Sequence, residues 1–429
     1  MKKSVCLRVI PLIIVFGLLI SACSDENQEG TKSFTMTQRN YVFPVTGAGY
    51  SRPLSVQVTN SGDTALTVTV ALSGTNAAHF VISPATLNLS AGAVGSFTVI
   101  PEEDLEEGTY RATVTVSAAG LSSYTFNVSC SINNFHVYIA FGQSNMQGPG
   151  TAEAQDQTGV SERFKTLNVV IGTYAYGTGP NSGLRNKGEW YTAVPPNIIE
   201  GVNPTGMMGT KTGLSPMDYF GRTLVEKTKD HITIGVIAVA NGDMALASFH
   251  KTRAEDYYRK EDTAPGRPSD TEMSGMNRYK NAGYANMYDA IIQNAQIAQN
   301  QGAVIKGIIV HQGESGIGFP ADTITWRDLL TEIYDSLLDD LGLTPNSLPI
   351  LLGQPFGGNG PQSVGNDGGE NLGNALHENL RIQRYLRNAW IISSAGCANR
   401  GDNIHFSSAG IRELGKRYGE KMFELIYQQ

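Results

Sequence analysis

The 429-residue sequence predicts an α/β domain with a parallel sheet over residues 132–429, preceded by an antiparallel β-sandwich over residues 39–131. Two observations predict this. Between residues 39 and 131 apolar side chains alternate with polar ones, the period of a strand with one buried face. From residue 132 onward the pattern becomes short unalternated apolar runs separated by helix-period segments, as in a sheet covered on both faces.

The first segment is for targeting and is not part of the fold. Lys2, Lys3 and Arg8 precede an apolar run from Val9 to Ile20, too short to span a bilayer comfortably. Ile20-Ser21-Ala22-Cys23 then resembles the lipobox of bacterial lipoproteins. The resemblance implies a signal peptide over 1–22 and acyl chains on Cys23, with a plain secretion signal as the alternative. Each buried acyl methylene contributes about 0.8 kcal/mol, so several chains anchor firmly. Ser24-Asp25-Glu26 resembles the acidic start of surface-displayed lipoproteins, which implies the outer membrane or cell surface. Residues 23–38 lack apolar periodicity and read as a tether. Cys6 leaves with the signal, so only Cys130 and Cys397 remain. Two buried thiols are expected, with a disulfide between them as the alternative.

In the sandwich, Leu54, Val56 and Val58 alternate with polar residues, as do Leu66, Val68 and Val70. Tyr110, Ala112, Val114 and Val116 repeat the pattern, and so do Tyr124, Phe126 and Val128. Turn signals such as Asn60-Ser61-Gly62-Asp63 separate them. This region resembles the immunoglobulin-like modules that precede catalytic domains in exported glycan enzymes. The resemblance implies a spacer, with a weak carbohydrate-binding surface as the alternative.

In the α/β domain the buried runs are Phe135–Phe141, Ile232–Ala240, Val304–Val310, Leu348–Leu352 and Trp390–Ser393. Helical patterns cover Met217–Lys227, Ala285–Gln299, Trp326–Leu338, Leu376–Leu386 and Ser408–Ile426. Such sheets hold ligands beyond the carboxyl ends of their strands. Three short motifs fall there. The first run exits into Gly142-Gln143-Ser144-Asn145-Met146, where a serine between a strand and a turn can stand as a nucleophile. The third exits into His311-Gln312-Gly313-Glu314-Ser315, and the last is followed by Asp402-Asn403-Ile404-His405-Phe406. An aspartate three residues before a histidine can hold one ring nitrogen while the other takes a serine proton.

Together these blocks resemble the SGNH (GDSL-like) hydrolase superfamily. They resemble most closely its sialic-acid-specific acetylesterase-like and acetylxylan-esterase-like branch of carbohydrate esterases, over roughly residues 134–428. The resemblance implies a three-layer α/β fold and hydrolysis of carbohydrate O-acetyl esters. Ser144 would be the nucleophile, His405 the base and then acid, and Asp402 the residue that orients it. Glu314 competes with Asp402 for that last role. Ser144, Gly242 and Gln312 would furnish the oxyanion donors. Gln143, Asn145, Trp190 and His311 would touch substrate, although Trp190 could instead pin its own loop. Asn241, Asp243 and Gly316 depart from the branch's usual residues and bear on specificity.

Residues 172–215 and 249–283 are long insertions that would wall the cleft, with His250 read as a solvated loop residue. The expected partners are an acetylated oligo- or polysaccharide and a membrane reached through the lipid anchor. No metal or organic cofactor is required by the proposed chemistry. The formal net charge of -7 argues against a nucleic-acid partner, and no P-loop spacing occurs. An inactive glycan-binding lipoprotein on the same fold is the rival reading.

Overall fold

The computed structural model describes residues 30–43, 53–102, 105–170, 172–174, 183–197, 212–259, 268–314, 326–344, 346–356 and 381–428. Cys23 and the signal segment lie outside the described residues, as do Ser315, Gly316, half of the 172–215 insertion and the start of the expected 376–386 helix.

The N-terminal part is β-rich. One sheet contains Leu54–Asn60 paired with Val94–Pro101, and a second contains Leu66–Ser73, Gly108–Ala118 and Tyr124–Ile132. Their inward residues, among them Val58, Val68, Phe97, Val114 and Phe126, share one core. The period-two pattern follows from that single buried face. Cys130 and Cys397 are both buried and free, and burial pushes the Cys130 thiol up to about 11.

The C-terminal part is built on a seven-stranded, largely parallel sheet. Its strands are β1 (Phe135–Gly142), β2 (Phe164–Leu167), β3 (Trp190–Thr192), β4 (Thr233–Ala240), β5 (Val304–His311), β6 (Ile350–Gly353) and β7 (Ala389–Ile392). Their order is β3-β2-β4-β1-β5-β6-β7, and only β3 runs antiparallel to its neighbour. The helices that frame the sheet and the site are α1 (Ser144–Gln147), α2 (Pro216–Lys227), α3 (Asp270–Asn281), α4 (Met287–Asn300), α5 (Trp326–Asp340) and α6 (Ser408–Tyr427), with short helices also at Ala154–Gln157 and Arg253–Tyr258.

Central strand β1 feeds two cores. Val137, Ile139 and Phe141 pack with α4 and α5, while Tyr138 and Ala140 pack with α2 and α6. Burial on both faces explains the unalternated runs. The expected 376–386 helix is a short 3-10 turn at Ile382–Arg384 where the chain is described. Among the described residues no helix is long and apolar enough to cross a membrane.

Candidate active site

The register of the sheet decides where the motifs meet. Gly142 lies level with Ala240 of β4 on one side and His311 of β5 on the other. The segments after these residues therefore emerge side by side at the carboxyl edge. A Cβ on Gly142 would lie 2.0 Å from the His311 carbonyl oxygen. Only glycine allows the two strand ends to close this tightly, and the next residue seals the join as Gln143 N–H donates to the same carbonyl at 3.1 Å.

Ser144 follows at the head of α1, 4% exposed. Its Oγ lies 2.9 Å from His405 Nε2, and His405 Nδ1 lies 2.8 Å from Asp402 Oδ2. The three-residue spacing of Asp402 and His405 has a second consequence. Asp402 Oδ1 accepts the backbone N–H groups of Ile404 at 3.0 Å and His405 at 2.8 Å, so one carboxylate both builds the turn and holds the ring. Burial would raise the Asp402 carboxyl, but these N–H groups and the His405 imidazole hold it below the usual carboxylate range. In the neutral ring the Nδ1 proton goes to Asp402, which leaves Nε2 as acceptor for the serine hydroxyl. Such a line of groups can deprotonate a serine as it attacks an acyl carbon.

Glu314 does not reach His405 in this arrangement. Its Oε1 accepts from Asn145 Nδ2 at 2.6 Å and pairs with His311 Nε2 at 3.1 Å. Burial opposes its charge, yet His311 and the Asn145 amide hold its carboxyl below the ordinary value. His311 Nδ1 shares a 2.8 Å hydrogen bond with the Tyr418 hydroxyl on α6. His311, expected at the substrate, is fully buried.

Asn145, also expected at the substrate, is a staple. Besides Glu314 it donates to the Ile404 carbonyl at 3.0 Å and accepts from Phe406 N–H at 3.1 Å. It thus joins all three motifs. Gln143 likewise turns inward, and its Oε1 accepts from Gln312 Nε2 at 3.2 Å and Gly313 N–H at 3.3 Å.

The expected oxyanion donors divide. The N–H groups of Ser144 and Gly242 donate to no acceptor among the described residues. Gln312 is different, because its amide group donates to Gln143 Oε1 and to the Met244 carbonyl at 3.1 Å. Its Oε1 accepts from Trp326 Nε1. With both amide protons committed, Gln312 braces the loops and is not free to face an oxyanion.

Trp190 is not brought to this site. It lies in β3, its ring meets Phe135 edge-on at 4.7 Å and its Nε1 donates to Gln301 Oε1 at 2.7 Å. Phe135 opens β1, so Trp190 serves the end of the sheet away from the strand exits. His250, expected in solvent, is buried and its Nε2 pairs with Glu332 at 2.8 Å. Three residues that shape the site were not predicted: Tyr418, Glu272 and Arg400. Arg400 Nε lies 3.5 Å from Asp402 Oδ2. Tyr418 carried a signal, since it continues the inward stripe of Ile411 and Leu414.

The family described as carbohydrate esterase, sialic acid-specific acetylesterase matches residues 134–424. Among solved structures, the chain is similar to a protein from Arabidopsis thaliana at 16% identity and a TM-score of 0.44, covering 68% of this chain and 100% of that one. It is similar to a carbohydrate acetylesterase from Xanthomonas citri at 15% identity and a TM-score of 0.42, covering 93% of this chain and 76% of that one. NanS is similar at 16% identity and a TM-score of 0.41, with 69% and 99% covered.

Proposed function

The chain belongs to the sialic acid-specific acetylesterase family of carbohydrate esterases and is a hydrolase of acetylated sugars, and on that premise we propose that Ser144, His405 and Asp402 are its catalytic residues. Ser144 Oγ attacks the acetyl carbonyl while His405 Nε2 takes the hydroxyl proton. The new oxyanion sits against the N–H groups of Ser144 and Gly242. His405 returns the proton to the departing sugar oxygen, leaving an acetyl-serine. It then deprotonates a water that attacks this ester, and acetate leaves as the proton returns to Ser144. Asp402 keeps the ring in its tautomer and stabilises the imidazolium.

The observation that carries the reading is the unbroken line of contacts, 2.9 Å from Ser144 to His405 and 2.8 Å from His405 to Asp402. Ser144→Ala tests it. Hydrolysis of a small acetyl ester should fall by about four to six orders of magnitude at unchanged melting temperature. Wild-type turnover in the folded variant overturns the assignment.

The exported setting is part of the same proposal. Cleavage before Cys23 and its acylation would hold the enzyme at the outer membrane or cell surface, supported by the basic, apolar and Ile20-Ser21-Ala22-Cys23 order. The tether expected over 23–38 would be shorter, because Phe34 and Thr35 pair with Asn60 and Thr59 and Phe34 is buried in the core of the two sheets. The module from there to residue 131 would be an immunoglobulin-like spacer, supported by that shared core. Residues 132–429 would be the esterase domain. Incorporation of labelled palmitate that is lost in Cys23→Ala tests the anchor.

A further inference from the structure

The loop that carries Gly242 is held along its length by one helix. Tyr279 OH on α3 donates to the Ala240 carbonyl at 3.3 Å, and Arg278 Nη1 donates to Asn241 Oδ1 at 3.2 Å. Asn241 in turn donates from Nδ2 to the Gly242 carbonyl at 2.9 Å. At the far end of the loop, Ala245 N–H donates to Glu272 Oε1 at 2.8 Å. The turn between is tight, with Asp243 in the left-handed region at φ 61° and Met244 N–H reaching the Asn241 carbonyl at 3.4 Å.

The helix is itself locked. Glu272 Oε2 accepts Ser269 N–H at 2.7 Å as half of a capping box, and its Oε1 also accepts from Tyr257 OH at 2.9 Å. A Cβ on Gly275 would lie 2.2 Å from Asn241 Nδ2, so a glycine here lets the helix backbone rest on Asn241. Glu272 is buried, and burial holds its carboxyl above the usual range. A buried acid with all of these donors converging on it is costly to build for a loop that merely connects two elements.

We propose that α3 sets the position of the oxyanion loop, with Glu272 and Arg278 as positioning residues for ester hydrolysis through Ala245 and Asn241. This rests on the reading of Gly242 as an oxyanion donor. Removing such a donor typically costs about 100-fold to 1000-fold in turnover, and displacing it costs less.

The test measures kcat, KM and melting temperature for Glu272→Gln, Arg278→Met, Arg278→Lys and Ser144→Ala, using 4-nitrophenyl acetate and the full chain. Glu272→Gln keeps the side-chain volume but can no longer accept at both ends. Glu272→Gln and Arg278→Met are expected to lower kcat by about 10-fold to 100-fold with KM within about twofold. Arg278→Lys should recover most of the Arg278→Met loss, because it restores a donor to Asn241. If Glu272→Gln does not fold, the two Arg278 variants decide the matter, since that side chain is half-buried at the rim. Wild-type kcat in folded Arg278→Met, with Ser144→Ala inactive, overturns the clamp and leaves the catalytic assignment standing. Activity in Ser144→Ala instead removes the premise itself.

Discussion

The protein contains two histidine–carboxylate pairs of similar form and opposite setting. His405 and Asp402 meet at 2.8 Å with side chains 10% and 35% exposed, while His311 and Glu314 meet at 3.1 Å at 0% and 6%. Both carboxylates follow the end of a strand, and both are within one residue's reach of Ser144, the first through His405 and the second through Asn145. The difference lies in what the second ring nitrogen meets. In the open pair it meets the Ser144 hydroxyl, and in the buried pair it meets the Tyr418 hydroxyl on α6. An open pair can pass protons to a substrate. A buried pair, unable to exchange partners with water, holds geometry. Under the proposed mechanism, one chemical motif serves two purposes according to depth.

Asp402→Asn gives the largest contrast. It leaves the turn but supplies the ring with the wrong partner, so kcat should fall by about four orders of magnitude with little change in melting temperature. The sharpest complement is Glu314→Ala, which strands His311 Nε2 and takes one of two acceptors from Asn145 Nδ2 in the interior. A loss of about 3–5 kcal/mol in denaturant unfolding is expected. If Glu314→Ala unfolds like wild type, the buried pair is not the brace described.

The same contrast has a pH signature. Both carboxyls are depressed from their ordinary values of 3.8 and 4.5. Their stabilising contributions are therefore complete above those values and are lost as pH falls through the lower, folded-state values. Acid denaturation curves should show this loss below about pH 4.5, and Glu314→Gln and Asp402→Asn should each flatten it. Tyr418→Phe comes next, removing one acceptor or donor from His311 at about 1–3 kcal/mol. Trp190→Phe is the smallest, losing the bond to Gln301 for about 0.5–1.5 kcal/mol. It leaves acetyl-ester kcat within about twofold of wild type, and a larger drop would return Trp190 to the cleft.

The central sheet was legible because burial on both faces favours unbroken apolar runs, as in Ile234 to Ala240. Strands β2 and β3 were not, because they are short, lie at or next to the edge of the sheet and carry Lys165 and Tyr191. Helix α3 was hidden within what read as a polar loop. Its inward stripe is Glu272, Gly275, Met276 and Tyr279, the right spacing filled by residues that do not read as core. Its signal was the capping box Ser269-Asp270-Thr271-Glu272. For the site, the motif residues were all named, but which way each side chain turns was not readable. Gln143, Ser144 and Asn145 are neighbours in sequence, and the tight turn sends Gln143 and Asn145 to protein partners while Ser144 meets His405. Tertiary contacts made by Gln312 and His311 decide such directions, and no local pattern encodes them.

The close approach of Gly142 to the His311 carbonyl leaves the turn that carries Ser144, the proposed nucleophile, with no slack. A serine fixed in that way cannot travel to meet differently shaped esters, so any accommodation has to come from the walls around it. The fold thereby separates two inheritable properties. Loops at the strand exits can be lengthened, shortened or exchanged to recognise another glycan, and the reacting atoms keep their alignment without retuning. An engineer seeking a new sugar preference should leave residues 142–145 alone and diversify the surrounding segments first.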